Sequence, residues 1–381
     1  MIGVGHWAAV IGAEFPGAAD TNGSTNTVCY TFRVRYFIQF TAGIGDLVRQ
    51  SLAGELSRMR VEYADDSAMI FEAGDRPGLV AVLPYVKNAF LVVASVGRSN
   101  LDASVAKLAS KAKNASFPRS PDRGYGFRLM FHIDGSLVPV SSKSKGTLER
   151  AVAARTGRRV EPRGNCQEYW VVGRTTLEEL LLCMRLPKPS REEKARGAIS
   201  HELSAALVAA SGPDPRDVFL DPFGGSGSFA AARLEHPVQR VWYSDTRLAD
   251  HLPAFVGKLR RDDRVRLLNE DALRLRSIPD GSVDVIVTDP PWGEHEDLDR
   301  PYPEFAASMA ASFARVLRPG TGRYVVLVNR DNAAVMRQAL SAAGITPDDE
   351  HEVLVNGHPA TVLVRRPARR RAKQVGSPRL L

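Results

Sequence analysis

The sequence predicts an α/β protein in two parts: a doubly wound parallel sheet over residues 201–364, preceded by a smaller α+β region. Three observations predict it. Strand-like and helix-like segments alternate strictly through the second half, the pattern of a parallel sheet with helices on its faces. A glycine-rich turn, FLDPFGGSGSFAAA at 219–232, joins the first of those strands to a helix. The last two strands meet at Asn356-Gly357, a strong hairpin signal, so the sheet is expected to end antiparallel.

Residues 1–27 are rich in Gly, Ala, Ser, Thr and Asn without lasting periodicity and are expected to form an N-terminal extension outside the fold. Residues 28–97 read as a first module. VCYTFRVRYFIQF suits a strand. IGDLVRQSLAGELSRM suits a helix, because Ile44, Leu47, Val48, Leu52 and Leu56 recur at helical spacing. Short strands are expected at VEYADDSAMIFEA and at GLVAVLPYV. Strand, helix, strand, strand begins a ferredoxin-like unit.

Residues 98–187 read as a second, basic module. LDASVAKLASKAKNA is an amphipathic helix carrying Lys107, Lys111 and Lys113, RLMFHID a strand, and KGTLERAVAARTG a helix ended by Gly157. CQEYWVVGRT is a strand, and LEELLLCMRLP is expected to be a short helix or turn. The polar stretch 188–200 is read as a linker.

In residues 201–364 the expected parallel strands are DVFLD, RVWYSD, VRLLNED, VDVIVTD and RYVVLVN. The helices between them are SFAAARLE, LADHLPAFVGKLR, a short ALRLRS, and EFAASMAASFARVL. NAAVMRQALSAAG follows the fifth strand, and HEVLVNGHPATVLVRR is the closing hairpin. Residues 365–381 are a basic tail.

Composition narrows the function. The chain has 381 residues, 44% hydrophobic and 25% charged, which suits a folded protein of two or three domains. Its three cysteines, Cys29, Cys166 and Cys183, are too few and too scattered for a disulfide scaffold or a Cys-rich zinc site. The eight histidines form no zinc pattern, so no metal is expected. No apolar run reaches the ~18 residues of a membrane span, and the N-terminus lacks a basic n-region, so a cytoplasmic, monomeric protein without a membrane partner is expected. Net charge is +8 but unevenly spread: residues 98–196 carry +10, residues 197–364 carry −7 and the tail +7. That asymmetry points to a polyanion gripped by the middle of the chain, or to a solvated basic surface with no ligand.

Three motifs carry chemistry. The first is the turn after Asp221, with Phe223, Gly224, Gly225, Ser226 and Gly227. Missing Cβ atoms let a ligand touch the backbone, and the helix that opens there presents free N–H groups. No Gly-Lys-Ser/Thr follows, which excludes a phosphate-cradling P-loop. The second is an acid at the end of each next strand, Asp245 and then Asp271, the latter followed by Ala272. In register behind a glycine-rich turn they describe an adenosine pocket; singly, an acid at such a place is more often the cap of the helix after it. The third is Asp289-Pro290-Pro291-Trp292-Gly293 at the end of the fourth strand. Two prolines fix φ and remove two N–H donors. What remains is carbonyl and carboxylate acceptors beside a flat aromatic face, which suits a planar base bearing an exocyclic NH2. The plainer reading is a proline-rich turn with a buried Trp.

In this order and spacing, DPFGGSGSF, YSD, EDA and DPPWG resemble the S-adenosylmethionine-dependent amino-methyltransferases with a (D/N)-P-P-(Y/F/W) motif. The region before them is similar to the ferredoxin-like and THUMP modules of RNA methyltransferases, and the group resembled most is the THUMP-containing tRNA guanine-N2 methyltransferases. The resemblance covers roughly residues 30–364. It implies a class I Rossmann-like methyltransferase sheet preceded by a ferredoxin-like plus THUMP region. It implies S-adenosyl-L-methionine as cofactor, held by Asp221, Phe223, Gly224, Gly225, Ser226, Gly227, Asp245, Asp271 and Ala272, and RNA, with tRNA expected, as substrate. Asp289, Pro290, Pro291 and Trp292 would then be catalytic, in a direct in-line transfer without metal or covalent Cys. Three residues depart from the pattern: Gly224 where Cys is frequent, Trp292 where Tyr or Phe is commoner, and Arg247 where a second acid is frequent. Adenine-N6 methylation of RNA or DNA, and an inactive RNA-binding protein, stay open as alternatives. His201 is expected as a helix-start residue or as a contact to the methionine end of the cofactor.

Overall fold

The structure is a computed structural model and describes residues 34–74, 77–118, 126–188, 199–248, 259–293 and 298–366. The N-terminal extension, most of the linker and nearly all of the basic tail therefore lie outside the described residues. So does most of the helix expected at 248–260. The chain divides into two compact units, Met1–Glu192 and Glu193–Leu381.

The first unit contains strands β1 (Val34–Gln39), β2 (Arg60–Ala64), β3 (Ala68–Ala73), β4 (Asn88–Gly97), β5 (Gly126–Ile133), β6 (Ser136–Leu137), β7 (Arg159–Val160), β8 (Gln167–Gly173) and β9 (Glu179–Arg185). Its helices are α1 (Gly45–Glu55), α2 (Pro77–Val82), α3 (Leu101–Ala112) and α4 (Ser142–Thr156). The strands form one sheet in the order β2-β3-β1-β4-β9-β8-β5-β6, with β7 beside β5. The segments 28–97 and 98–187 thus share a sheet, joined where β4 pairs with β9.

Several elements differ from the sequence reading. VEYADDSAMIFEA is two strands, because Asp65 accepts the N–H groups of Ser67 and Ala68 and turns the chain between them. GLVAVLPYV is not a strand: its first half belongs to α2, which opens on Pro77, where the fixed φ of proline suits a first helical turn. LEELLLCMRLP is neither helix nor turn. It is the central strand β9, nearly all buried and paired on both sides by β4 and β8, so tertiary pairing overrides the helix preference of its leucines. β4 carries a register shift between Val92 and Ala94, which breaks the alternation that would have marked it.

This sheet is curled. Arg174, just past β8, holds Asp65 at the far edge in a two-pronged ion pair at 2.6 and 2.7 Å, and Tyr63 reaches the Thr176 hydroxyl at 2.8 Å. Phe37, Ile70, Phe90, Trp170, Leu181 and Cys183 fill the enclosed face.

The second unit contains β10 (Val218–Asp221), β11 (Arg240–Ser244), β12 (Val265–Leu268), β13 (Val285–Thr288), β14 (Arg323–Asn329), β15 (Asp349–Val355) and β16 (His358–Arg365). Its described helices are α5 (His201–Ala210), α6 (Ser228–Leu234), α7 (Tyr302–Val316) and α8 (Ala333–Ala342). The order is β12-β11-β10-β13-β14-β16-β15, parallel through β14 and antiparallel beyond it. Asn356 and Gly357 both take positive φ (52° and 92°), the backbone a two-residue hairpin turn needs. ALRLRS is not a helix but a run of turns through Leu275, whose φ is +44°.

Helix α7 shows why this sheet is stable. Phe305, Met309, Phe313 and Val316 form one stripe buried with Ile286, Tyr324 and Val326, each such side chain contributing about 1.5–3 kcal/mol. The order of strands also places the functional crevice. The chain runs outward from β10 to β11 and β12, then crosses back to β13 on the other side of β10. Ligands of open parallel sheets sit at the carboxyl ends of the strands at such a reversal. Asp221 ends β10, and Asp289 follows β13 directly.

Candidate active site

The glycine turn is built against Tyr243 on β11. A Cβ at Gly224 would collide with the Tyr243 ring, and the Tyr243 hydroxyl donates to the Gly225 carbonyl at 2.6 Å. The Gly224 N–H donates to the Ser244 carbonyl at 2.8 Å. Gly227, with φ of +79°, is the cap from which α6 starts. Glycine at 224 is thus a packing requirement of this chain, whose space Tyr243 occupies. Ser226 and Ser228 bond to each other through their hydroxyls at 2.8 Å, and the ring of Phe223 lies 6.0 Å from that of Phe305 on α7.

Asp245, just past β11, accepts the Gly225 N–H through Oδ2 and the Arg247 N–H through Oδ1, both at 2.8 Å. It therefore ties the glycine turn to the next strand, and Arg247 contributes a backbone donor to that tie. Asp271 accepts the Leu273 N–H at 2.9 Å and lies 3.6 Å from the Arg274 guanidinium. It caps a turn and not a helix, and Ala272 beside it is buried.

Asp221 is wholly buried. Its Oδ1 accepts from the Thr288 hydroxyl on β13 at 3.0 Å, while Oδ2 has no hydrogen-bond partner among the described residues. Burial, reinforced by the charges of Asp289 and Asp245, pushes its pKa up to about 8. A buried carboxyl with one oxygen unpaired among the described residues leaves an acceptor, or a proton to donate, for a ligand in this crevice.

At the end of β13, Trp292 donates its indole N–H to Asp289 Oδ1 at 2.8 Å. The Trp292 carbonyl accepts from the Asn332 side-chain amide at 2.8 Å. Tyr302, at the start of α7, packs its ring 5.8 Å from Phe305. Its buried hydroxyl has no hydrogen-bond partner among the described residues, and burial together with the Asp289 charge raises its pKa. His201 opens α5 behind the Ser200 cap, 3.4 Å from Glu235.

The structure thus brings Asp221, Asp245, Asp289 and the glycine turn to the carboxyl ends of three adjacent strands. Asp271 stands one strand further out. Four residues that serve this site were not singled out from sequence: Thr288, Tyr243, Tyr302 and Asn332. Thr288 and Tyr243 sit one and two residues before motif acids and could have been found by position. Asn332 lies 40 residues beyond Trp292, and no local pattern announces it.

Residues 188–240 and 256–358 match the UPF0020 family, RMKL-like, methyltransferase domain. The matched residues make up most of the second unit, which is similar to the methyltransferase domain that this family model describes. Over 181 residues the chain is also 28% identical to the tRNA (guanine(6)-N(2))-methyltransferase THUMP3 of Bos taurus. That match covers 43% of this chain and 35% of the relative, so the chain spans about a third of the length of that protein. Among solved structures, TrmN from Thermus thermophilus matches with a TM-score of 0.64 at 21% identity, over 88% of this chain and 100% of TrmN. A predicted N6-adenine-specific DNA methylase from Listeria monocytogenes matches with 0.57 at 14% identity, over 88% and 97%. At these identities the solved structures show likeness of fold alone. No helix of the described residues is long and apolar enough to cross a membrane.

Proposed function

We propose that the chain is an S-adenosylmethionine-dependent RNA methyltransferase acting on the exocyclic N2 of a guanosine in tRNA. The observation that carries this reading is the acceptor-rich Asp289–Trp292 loop, set at the strand-order reversal beside the buried carboxyl of Asp221. The THUMP3 relative supports the choice of tRNA and of guanine-N2.

S-adenosylmethionine, when bound, supplies an activated methyl on a sulfonium. Asp221 offers a buried carboxyl with one oxygen unpaired among the described residues, Asp245 offers a carboxylate beside the glycine turn, and that turn leaves backbone accessible to the cofactor. Asp271 and Ala272, one strand further out, would line the adenosine side. Asp289 and the Pro290 carbonyl accept from the target amine, whose lone pair is otherwise delocalised into the ring. Holding both N–H bonds favours a pyramidal nitrogen and aims its lone pair. Positioning then supplies most of the rate, and Trp292 offers the face on which a base stacks. The base must leave its own stack to reach it, at a cost of a few kcal/mol. The +10 of residues 98–196 suits phosphate contacts in the first unit, the part that resembles ferredoxin-like and THUMP modules.

The test is transfer of labelled methyl from S-adenosylmethionine to unfractionated tRNA, followed by digestion to nucleosides. N2-methylguanosine is expected. N6-methyladenosine would keep the mechanism and change the base, and absence of any labelled nucleoside would overturn the reading.

A further inference from the structure

The loop that carries Asp289 has two consecutive residues without a backbone donor. Pro290 and Pro291 have no N–H to donate, so a donor from elsewhere to a carbonyl of this loop supplies an anchor that the prolines cannot. The structure supplies one such donor from the next strand. Asn329 ends β14 and is buried, and its side-chain oxygen accepts the Asn332 N–H at 2.9 Å. This fixes Asn332 at the entrance to α8, with its side-chain amide donating to the Trp292 carbonyl at 2.8 Å. Trp292 in turn donates to Asp289 at 2.8 Å. Three hydrogen bonds therefore run from the end of β14 to the carboxylate after β13.

We infer that Asn332 is the positioning residue of this loop: it sets the Trp292 backbone, and through it the indole and the Asp289 carboxylate. The inference rests on the proposed function for its kinetic consequence but not for its structural one. Only an amide of this length, at the start of α8, brings a donor to that carbonyl while its own backbone is held by Asn329. An aspartate would present acceptors to an acceptor.

The test uses the full-length protein and four variants: Asn332→Ala, Asn332→Asp, Trp292→Phe and Asn332→Ala/Trp292→Phe. Asn332→Ala and Asn332→Asp should lower kcat for tRNA methylation at least tenfold, with the Kd for S-adenosylmethionine within twofold of wild type. In the Trp292→Phe background the further loss on Asn332→Ala should shrink to less than threefold, because the indole it positions is gone. Independently of activity, Asn332→Ala should increase acrylamide quenching of tryptophan fluorescence, and that increase should vanish in the Trp292→Phe background. Equal loss of kcat in both backgrounds, or quenching unchanged by Asn332→Ala, would overturn the positioning role. If wild type transfers no methyl to RNA, the functional reading fails, and the quenching measurement alone decides the role of Asn332.

Discussion

The indole N–H of Trp292 and the carboxylate of Asp289 are hydrogen-bonded at 2.8 Å across a turn whose two intervening residues are both proline. In the proposed reaction, the aromatic face for the base and the acceptor for its amine are therefore one unit. Trp is not interchangeable with Phe here, since Phe keeps the face and loses the donor. Trp292→Phe should lower kcat more than it raises the KM for RNA. Trp292→Ala should additionally lose stacking, worth about 1–3 kcal/mol per base. Steady-state kinetics on tRNA separates the two effects.

Much of this site is legible in the sequence because its parts are local. Asp221 with its glycines, Asp245, and Asp289 to Trp292 each sit at a strand end, and a parallel sheet brings strand ends together. What is not legible depends on partners far along the chain. The run at 179–185 becomes a strand because β4 and β8 flank it, and Asn332 meets Trp292 because β14 lies beside β13. The apolar run after Pro77 fits a helix or a strand by pattern alone, and the proline that opens it favours the helix.

Asp221 makes stability depend on pH. Its folded pKa, about 8, lies above the ordinary carboxyl value of 3.8. The folded state thus keeps a proton that the unfolded chain has lost. This contribution is fully present below pH 4, falls by up to ~1.4 kcal/mol per pH unit between about pH 4 and pH 8, and levels off above. Asp221→Asn mimics the protonated form and should flatten that slope. Urea unfolding of both proteins between pH 5 and pH 8.5 checks it; identical slopes would show that Asp221 does not titrate there.

Gly224 and Tyr243 compete for one space. Gly224→Ala should destabilise by ~1–3 kcal/mol through overpacking. Combined with Tyr243→Ala the penalty should fall short of the sum of the single losses by at least about 1 kcal/mol, since the collision is then removed. Denaturant midpoints of the four proteins give the coupling, and strict additivity would count against the collision.

Tyr302 buries a hydroxyl without a partner among the described residues. Tyr302→Phe should therefore leave Tm unchanged or slightly raised, because an unsatisfied buried polar group costs ~1–3 kcal/mol. A clear fall in Tm would mean that the hydroxyl is bonded in solution.

Lys107 and Lys113 are exposed in the basic half of the first unit. Reversing both, Lys107→Glu/Lys113→Glu, should weaken tRNA binding and make its salt dependence shallower, with affinity for S-adenosylmethionine unchanged. Filter binding from 50 to 200 mM salt measures this.

The central claim is that Asp289 accepts from the target amine as methyl transfer occurs. Asp289→Ala keeps both prolines and every residue proposed to hold the cofactor, so S-adenosylmethionine should bind as in wild type. Turnover should fall by at least a hundredfold, because the acceptor matters most as the nitrogen becomes pyramidal. The measurement is single-turnover transfer of labelled methyl to tRNA by wild type and Asp289→Ala, read as N2-methylguanosine after digestion. A wild-type N2-methylguanosine signal lost in the variant, with cofactor affinity intact, is the predicted result; near-normal turnover by Asp289→Ala would contradict it.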